Sequence, residues 1–242
     1  MSHPAQRDFI QIIAKHLPEF FIACNALEVG SLNINGSVRD FFRSCDYVGI
    51  DVAPGRDVDL VCEGQNFGGP DNHFKHVLSC EAMEHNPHWR ETFLNMIRVC
   101  APGGLVTMTC ATTGRLEHGT TRTTPRDSPL TLSLGWDYYA NRTKNDFLEL
   151  PRFRSKFSAY KFWINWRSFD LYFCGLKTSE IPNKESEIRW YEMVVAVDQY
   201  TRQANALKIC RYRAFSAKIG GDPWFSAMRK LAKLLDYVHS SN

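Results

Sequence analysis

Five short apolar runs, at 25–29, 46–51, 58–62, 75–81 and 104–110, follow one another along the chain, each separated from the next by a segment of helix or turn character. Strands spaced in this way do not join through tight hairpins, so the alternation predicts an α/β fold built on a parallel sheet wrapped by helices. The intervening segments supply covering faces. Residues 8–17 place Phe9, Ile12, Ile13 and Leu17 on one side of a short amphipathic helix, and 88–100 align Trp89, Phe93, Met96, Ile97 and Cys100. Residues 35–44 carry Val38, Phe41 and Phe42 at the same spacing, which predicts a third core-facing helix. Ala101-Pro-Gly-Gly104 stops the helix before it and turns the chain into the next strand.

Two aromatic-rich extended segments, 157–165 and 170–177, are joined by Trp166-Arg-Ser-Phe169, a connection that favours an antiparallel hairpin and a reversed strand finishing the sheet. From Thr178 the chain reads as mostly helical, with a mixed apolar face over 188–212 and an Asp222-Pro223 helix start ahead of 224–238. No internal repeat, low-complexity tract or second domain stands out.

With 29 basic against 26 acidic residues, the net charge of +3 is too balanced to imply nucleic-acid binding. The eight cysteines contain no C-x-x-C pair and several lie in apolar runs, the pattern of reduced thiols in a cytoplasmic protein, with neither a disulfide frame nor a metal site. No apolar run approaches the roughly 18 residues of a membrane span, and no membrane association is expected.

Chemistry concentrates at the predicted strand ends. Gly30 begins a turn at the carboxyl end of the first strand, where ligands of open α/β sheets bind and where a missing Cβ lets backbone approach a ligand. Asp51 ends the second strand 21 positions later. A carboxylate there can accept both hydroxyls of a ribose, or it can simply cap the turn into Pro54-Gly55. After Cys110 comes a long polar stretch of the kind that forms a lid or binding loop.

Taken in order, Leu-Glu-Val-Gly-Ser (27–31), Tyr-Val-Gly-Ile-Asp (47–51), Cys-Glu-Ala-Met-Glu-His (80–85) and Ala-Pro-Gly-Gly-Leu (101–105) resemble the class I S-adenosylmethionine-dependent methyltransferases. The resemblance covers about 24–112, and the hairpin resembles that family's reversed final strand pair. It implies a Rossmann-like three-layer sandwich with a mostly parallel seven-stranded sheet, the last strand antiparallel. An N-terminal helix (1–20) would precede the cofactor-binding domain (21–180), and a helical extension (181–242) would follow it.

The resemblance also implies S-adenosyl-L-methionine as cofactor, and the lack of a separate recognition domain or strong basic patch suggests a small-molecule acceptor, methylated on oxygen or nitrogen. Glu28 and Gly30, with Ser31, Asn33 and Gly36 of the first loop, would approach its amino-acid part, and Asp51 and Val52 its ribose. Gly64, Gln65 and Asn66 would lie against adenine, and Cys80, Glu81 and His85 would form the fourth-strand tip. The family's further loop glycines are replaced here by Leu32 and Ile34, and the acidic residue leading the fourth strand by the region of Lys75 and His76.

Methyl transfer needs alignment and, for an alcohol or protonated amine, a base. His118, in the long loop beside Glu117, is the first candidate; His85, Glu81, Glu84 and Glu117 are others, and His85 has the alternative of capping the helix that follows Pro87. Trp136, Tyr138 and Tyr139 are candidates for an apolar acceptor pocket or for core sealing. Arg115, Arg122 and Arg126 could bind an acidic acceptor or form a solvated face. Methylation of nucleic acid or protein through Arg211, Arg213, Arg229, Lys230 and Lys233 is a weaker reading, since no Asp/Asn-Pro-Pro-aromatic motif is present. An NAD-dependent enzyme is disfavoured because Leu32 and Ile34 crowd a pyrophosphate path; a non-catalytic module that kept the fold is a further alternative.

Overall fold

A computed structural model describes residues 3–180 and 184–240. Seven strands, β1 (Asn25–Val29), β2 (Asp46–Asp51), β3 (Leu60–Val61), β4 (Phe74–Cys80), β5 (Cys100–Ala111), β6 (Phe157–Asn165) and β7 (Asp170–Lys177), form one sheet in the order β3-β2-β1-β4-β5-β7-β6. The pairs from β3 through β5 are parallel, and β7 runs antiparallel to both β5 and β6. The parallel sheet and reversed hairpin expected from the sequence are both present.

Alternate side chains of each strand supply two cores, as the period of a strand requires. On one face, Val77, Val106, Met108 and Phe173 pack under α2 (Trp89–Val99) through Trp89, Phe93, Met96 and Ile97. On the other, Leu78, Cys80, Leu105 and Cys174 meet α1 (Pro4–His16) and α5 (Lys184–Asn205) through Phe9, Ile10, Ile13, Met193 and Val197. Asp198 anchors α5 to β6 by accepting hydrogen bonds from Trp163 Nε1 at 2.7 Å and Lys161 Nζ at 2.8 Å.

Residues 35–44 form no α-helix. They contain a single 3-10 turn, Arg39–Phe41. Asn33 holds the segment in a tight turn, accepting from Gly36 N–H at 3.0 Å and donating to Asp57 at 2.7 Å. Val38 is fully buried and Phe41 and Phe42 half-buried against the α1 side of the sheet, so the apolar spacing reflects packing beneath α1 rather than helix. The third strand is also shorter than the 58–62 expected, and both its residues are exposed. Ala101–Gly104 bulge out within β5: Phe74 pairs with Cys100, but His76 pairs with Leu105.

The polar stretch after β5 is partly ordered by a 3-10 turn, Pro125–Asp127, and by α3 (Pro129–Ser133); α4 (Lys144–Leu148), begun by a Thr143/Asp146 capping box, puts Phe147 into the core. At the C-terminus, α6 (Lys208–Ser240) is broken at Gly221, where φ is 55°. No helix among the described residues is long and apolar enough to cross a membrane. All eight cysteines are free thiols.

His76, near the start of β4, is fully buried. Its Nδ1 lies 3.2 Å from the Phe20 carbonyl and its Nε2 2.9 Å from Thr107 Oγ1, with the Phe21 and Phe42 rings against it. Burial pushes it down to about 3, against the opposing Phe20 hydrogen bond. Its folded-state affinity for protons is therefore below that of the unfolded chain. The stability it contributes is complete above the unfolded value of about 6.5 and is lost as pH falls toward 3. Denaturant titrations between pH 7 and 4 should show this as up to ~1.4 kcal/mol per pH unit, with a shallower slope in His76→Gln; equal slopes would contradict the assignment.

Candidate functional site

β1 and β4 lie side by side but their chains depart in opposite directions along the sheet, and at this switch point the carboxyl strand ends open into a cavity. Val29 and Gly30 from β1, Ile50 and Asp51 from β2, Cys62 and Gly64 beyond β3, and Glu81 and Ala82 beyond β4 form its floor. The segment from Asp127 to Thr131, together with Trp136, forms its far wall. Gly30 has φ of +83°, and a Cβ there would lie 2.6 Å from the Ala82 Cβ. Only glycine fits so close to the β4 tip.

Asp51 is held by two backbone donors, Leu32 N–H at 2.9 Å and Val52 N–H at 2.8 Å, one to each carboxylate oxygen. Burial raises its carboxyl above the ordinary value while these bonds oppose the shift. Each oxygen retains acceptor capacity for a ligand hydroxyl. Leu32 and Ile34, which stand where further loop glycines would be, are apolar wall residues of the same cavity.

The other end is rich in ionisable groups. Glu81, with φ of 55°, is buried; burial raises it well above the usual carboxylate range, aided by the Glu84 and Asp170 charges and opposed by Arg115 at 3.8 Å. Arg115 also donates to Asp170 at 3.0 Å. Glu84 is fully buried and accepts from Ala111 N–H at 2.9 Å. Burial opposes its ionisation, but the neighbouring His85 and His118 and the backbone bonds win, and it lies below its ordinary value. Burial lowers His85 to about 4. Its ring packs against His118 at 4.9 Å and Tyr139 at 5.4 Å between centroids. Neither of its nitrogens has a hydrogen-bond partner among the described residues. Asn86, not His85, serves the start of α2, accepting from His88 N–H and donating to Thr92.

Of the residues singled out in the sequence, Gly30, Asp51, Val52, Gly64, Glu81, His85 and Trp136 line the cavity. His118 and Tyr139 stand behind His85. Glu28 does not reach it: the carboxyl is buried against the Tyr47 hydroxyl at 2.6 Å and is pushed up to about 7 by burial. Cys80 is fully buried, and Ser31 is tucked under Gly49. Asn33 and Gly36 sit at the Asp57 turn. Gln65 and Asn66 donate to Glu63 rather than facing the cavity. Arg122 pairs with Glu117 and Asp137 on the surface, and the Tyr138 hydroxyl accepts from Arg142.

Arg213 is engaged with the Trp166 and Arg167 carbonyls. The side chains of Arg229, Lys230 and Lys233 lie outside the described residues. The wall at 127–131 lies at the end of the polar stretch expected to form a lid or binding loop; the short helix α3 in it was not expected, although Ser128-Pro129 carries the signature of proline at a first helical position.

No family model and no curated protein matches the sequence. Solved structures do match the fold. One is phosphoethanolamine N-methyltransferase 2 of Haemonchus contortus with phosphomonomethylethanolamine and S-adenosylhomocysteine, at TM-score 0.51 and 13% identity, covering 71% of this chain and 52% of that one. Another is the Burkholderia thailandensis 1,6-didemethyltoxoflavin-N1-methyltransferase, at 0.50 and 14%, covering 73% and 79%. The chain thus spans about half the length of the first. It has the fold of the class I S-adenosylmethionine-dependent methyltransferases.

Gly119, at φ of +68°, presses the polar loop onto the His85 ring; a Cβ there would lie 2.7 Å from His85 Cε1 and 2.7 Å from the Ser128 Cβ. Gly119→Ala should cost about 1–2 kcal/mol from the backbone alone and lift the loop. Limited trypsin digestion should then cut faster at Arg115, Arg122 or Arg126 than in the parent chain; an unchanged rate would mean that the loop is seated by other contacts.

Proposed function

We propose that this chain is an S-adenosylmethionine-dependent methyltransferase that methylates an oxygen or nitrogen of a small molecule. The observation that carries the reading is Asp51 at the β2 tip, opening into the switch-point cavity beside the close Gly30 turn. In this reading the cofactor's ribose hydroxyls donate to Asp51, and the Gly30 backbone faces its amino-acid part. Leu32 and Ile34 suit a ligand with no pyrophosphate. Glu28, buried two residues before Gly30, acts by fixing the strand end rather than by contact.

When bound, the cofactor supplies a methyl group on a sulfonium, which is already an excellent leaving group. The protein's part is alignment, exclusion of water and handling of one proton. The segment from Asp127 to Thr131 and Trp136 faces the strand ends across the cavity, where an acceptor would meet the cofactor. His118 is the proposed proton acceptor: its Nδ1 lies 2.9 Å from the Leu116 carbonyl, which leaves Nε2 free to take a proton. Both structural relatives act on small nitrogen-bearing molecules by name, which supports this acceptor class. The eight free thiols suit a reducing, cytoplasmic setting.

Isothermal titration should detect binding of S-adenosylhomocysteine to the parent chain. Hydrogen bonds to a charged group are worth ~1.5–3 kcal/mol, so Asp51→Ala should weaken binding by roughly 10- to 100-fold, with Asp51→Asn intermediate. No detectable binding to the parent chain would sink the proposal.

A further inference from the structure

Glu84, His85 and His118 meet beside the cavity, which His85 lines, and one donor atom from each lies within 4.8 Å of the other two. Two features distinguish this cluster from a chance grouping of polar residues. Glu84 is fully buried and His85 is 2% exposed, yet Glu84 Oε2 and both His85 nitrogens lack hydrogen-bond partners among the described residues. Leaving such an atom unpaired costs about 1–3 kcal/mol, so an unpaired Glu84 oxygen beside an unpaired His85 nitrogen calls for a shared partner. The backbone also aims the ligands. Ala111 N–H occupies Glu84 Oε1 and leaves Oε2 for another partner. The Leu116 carbonyl can only accept, so His118 Nδ1 carries the hydrogen and Nε2 presents a lone pair, the outer-shell arrangement that orients metal-binding histidines.

We propose that Glu84, His85 and His118 bind a divalent transition-metal ion of the zinc type. Two imidazoles and one carboxylate match the borderline character of zinc, and three protein ligands leave a fourth position for an exogenous group. Because His85 lines the cavity, that position is available to an oxygen of the acceptor. Zinc ligands lie at about 2.0–2.2 Å, which sets the donors at most ~4 Å apart. Binding of the ion would therefore draw the three donors, now within 4.8 Å of one another, closer together. Binding of the ion stands on the geometry; its use in holding an acceptor rests on the methyltransferase reading, and with the ion in place His118 is a ligand and the proton of a coordinated hydroxyl is lost more readily.

The test uses the full chain without a histidine tag, stripped with a chelator and titrated with zinc, with cobalt(II) as a spectroscopic probe. The expected result is one zinc ion per chain and a tetrahedral cobalt spectrum. His118→Ala should weaken binding by more than the roughly 10- to 100-fold typical of outer-shell changes, as should Glu84→Gln. His73→Ala, at an exposed histidine, should leave it unchanged. His118 is on a loop, so its variant reports on binding even where Glu84→Gln impairs folding. Absence of saturable zinc binding, equal affinity in His118→Ala, or a cobalt spectrum of the hexaaqua type would overturn the proposal. Titrating S-adenosylhomocysteine with and without zinc separates the two readings: cofactor binding without metal binding overturns the metal site alone, and metal binding without cofactor binding overturns the transferase reading alone.

Discussion

The gap between Gly30 and Ala82 governs the site. Where β1 and β4 part company, the backbone after β1 must bend within contact of the turn after β4, and a side chain at Gly30 would close the space between them. Gly30 N–H and Ser31 N–H both donate to the Ile50 carbonyl, which ties the same bend to β2. Asp51 then grips the amide of Leu32 and sets the loop's far side. The ends of β1 and β2 are thereby fixed relative to each other, with Gly30 seated against the turn after β4.

This fold reaches its three layers with little helix in the first crossovers. The face above β1 and β2 is covered by α1 and by the Phe20, Phe21 and Phe42 rings around His76. Burial of those rings replaces the apolar area that a crossover helix would otherwise contribute. N-terminal and C-terminal helices are joined over this face: the Tyr172 and Tyr200 hydroxyls both donate to the Ala5 carbonyl.

The sheet was legible because its information is local. Apolar runs of strand length, the glycine at the β1 turn and the aromatic hairpin each declare themselves within a few residues. The segment 35–44 deceived because Val38, Phe41 and Phe42 satisfy a tertiary surface whose spacing happens to suit a helix. Much the same holds at the site. Positions tied to strand ends, such as Asp51 and Glu81, meet where strand order alone puts them. Long polar side chains do not: Gln65, Asn66 and Arg122 found carboxylates close in sequence or space, and no pattern in the chain reveals which partner wins. The helix at Pro129–Ser133 was not legible within the polar stretch because five residues make too few turns for a period.

Asp222 gives the last helix a role beyond cover. Its carboxylate accepts from Gly114 N–H at 2.6 Å and from Asn141 Nδ2 at 2.9 Å, and Asn141 in turn donates to the Arg115 carbonyl and accepts from the Tyr139 hydroxyl. One anion from the far end of the chain thus clamps the root of the loop that carries His118 and the residue that packs beside it. Because Asp222 directly follows the Gly221 break, the start of the last helical segment and the loop that carries His118 share one hydrogen-bonded junction.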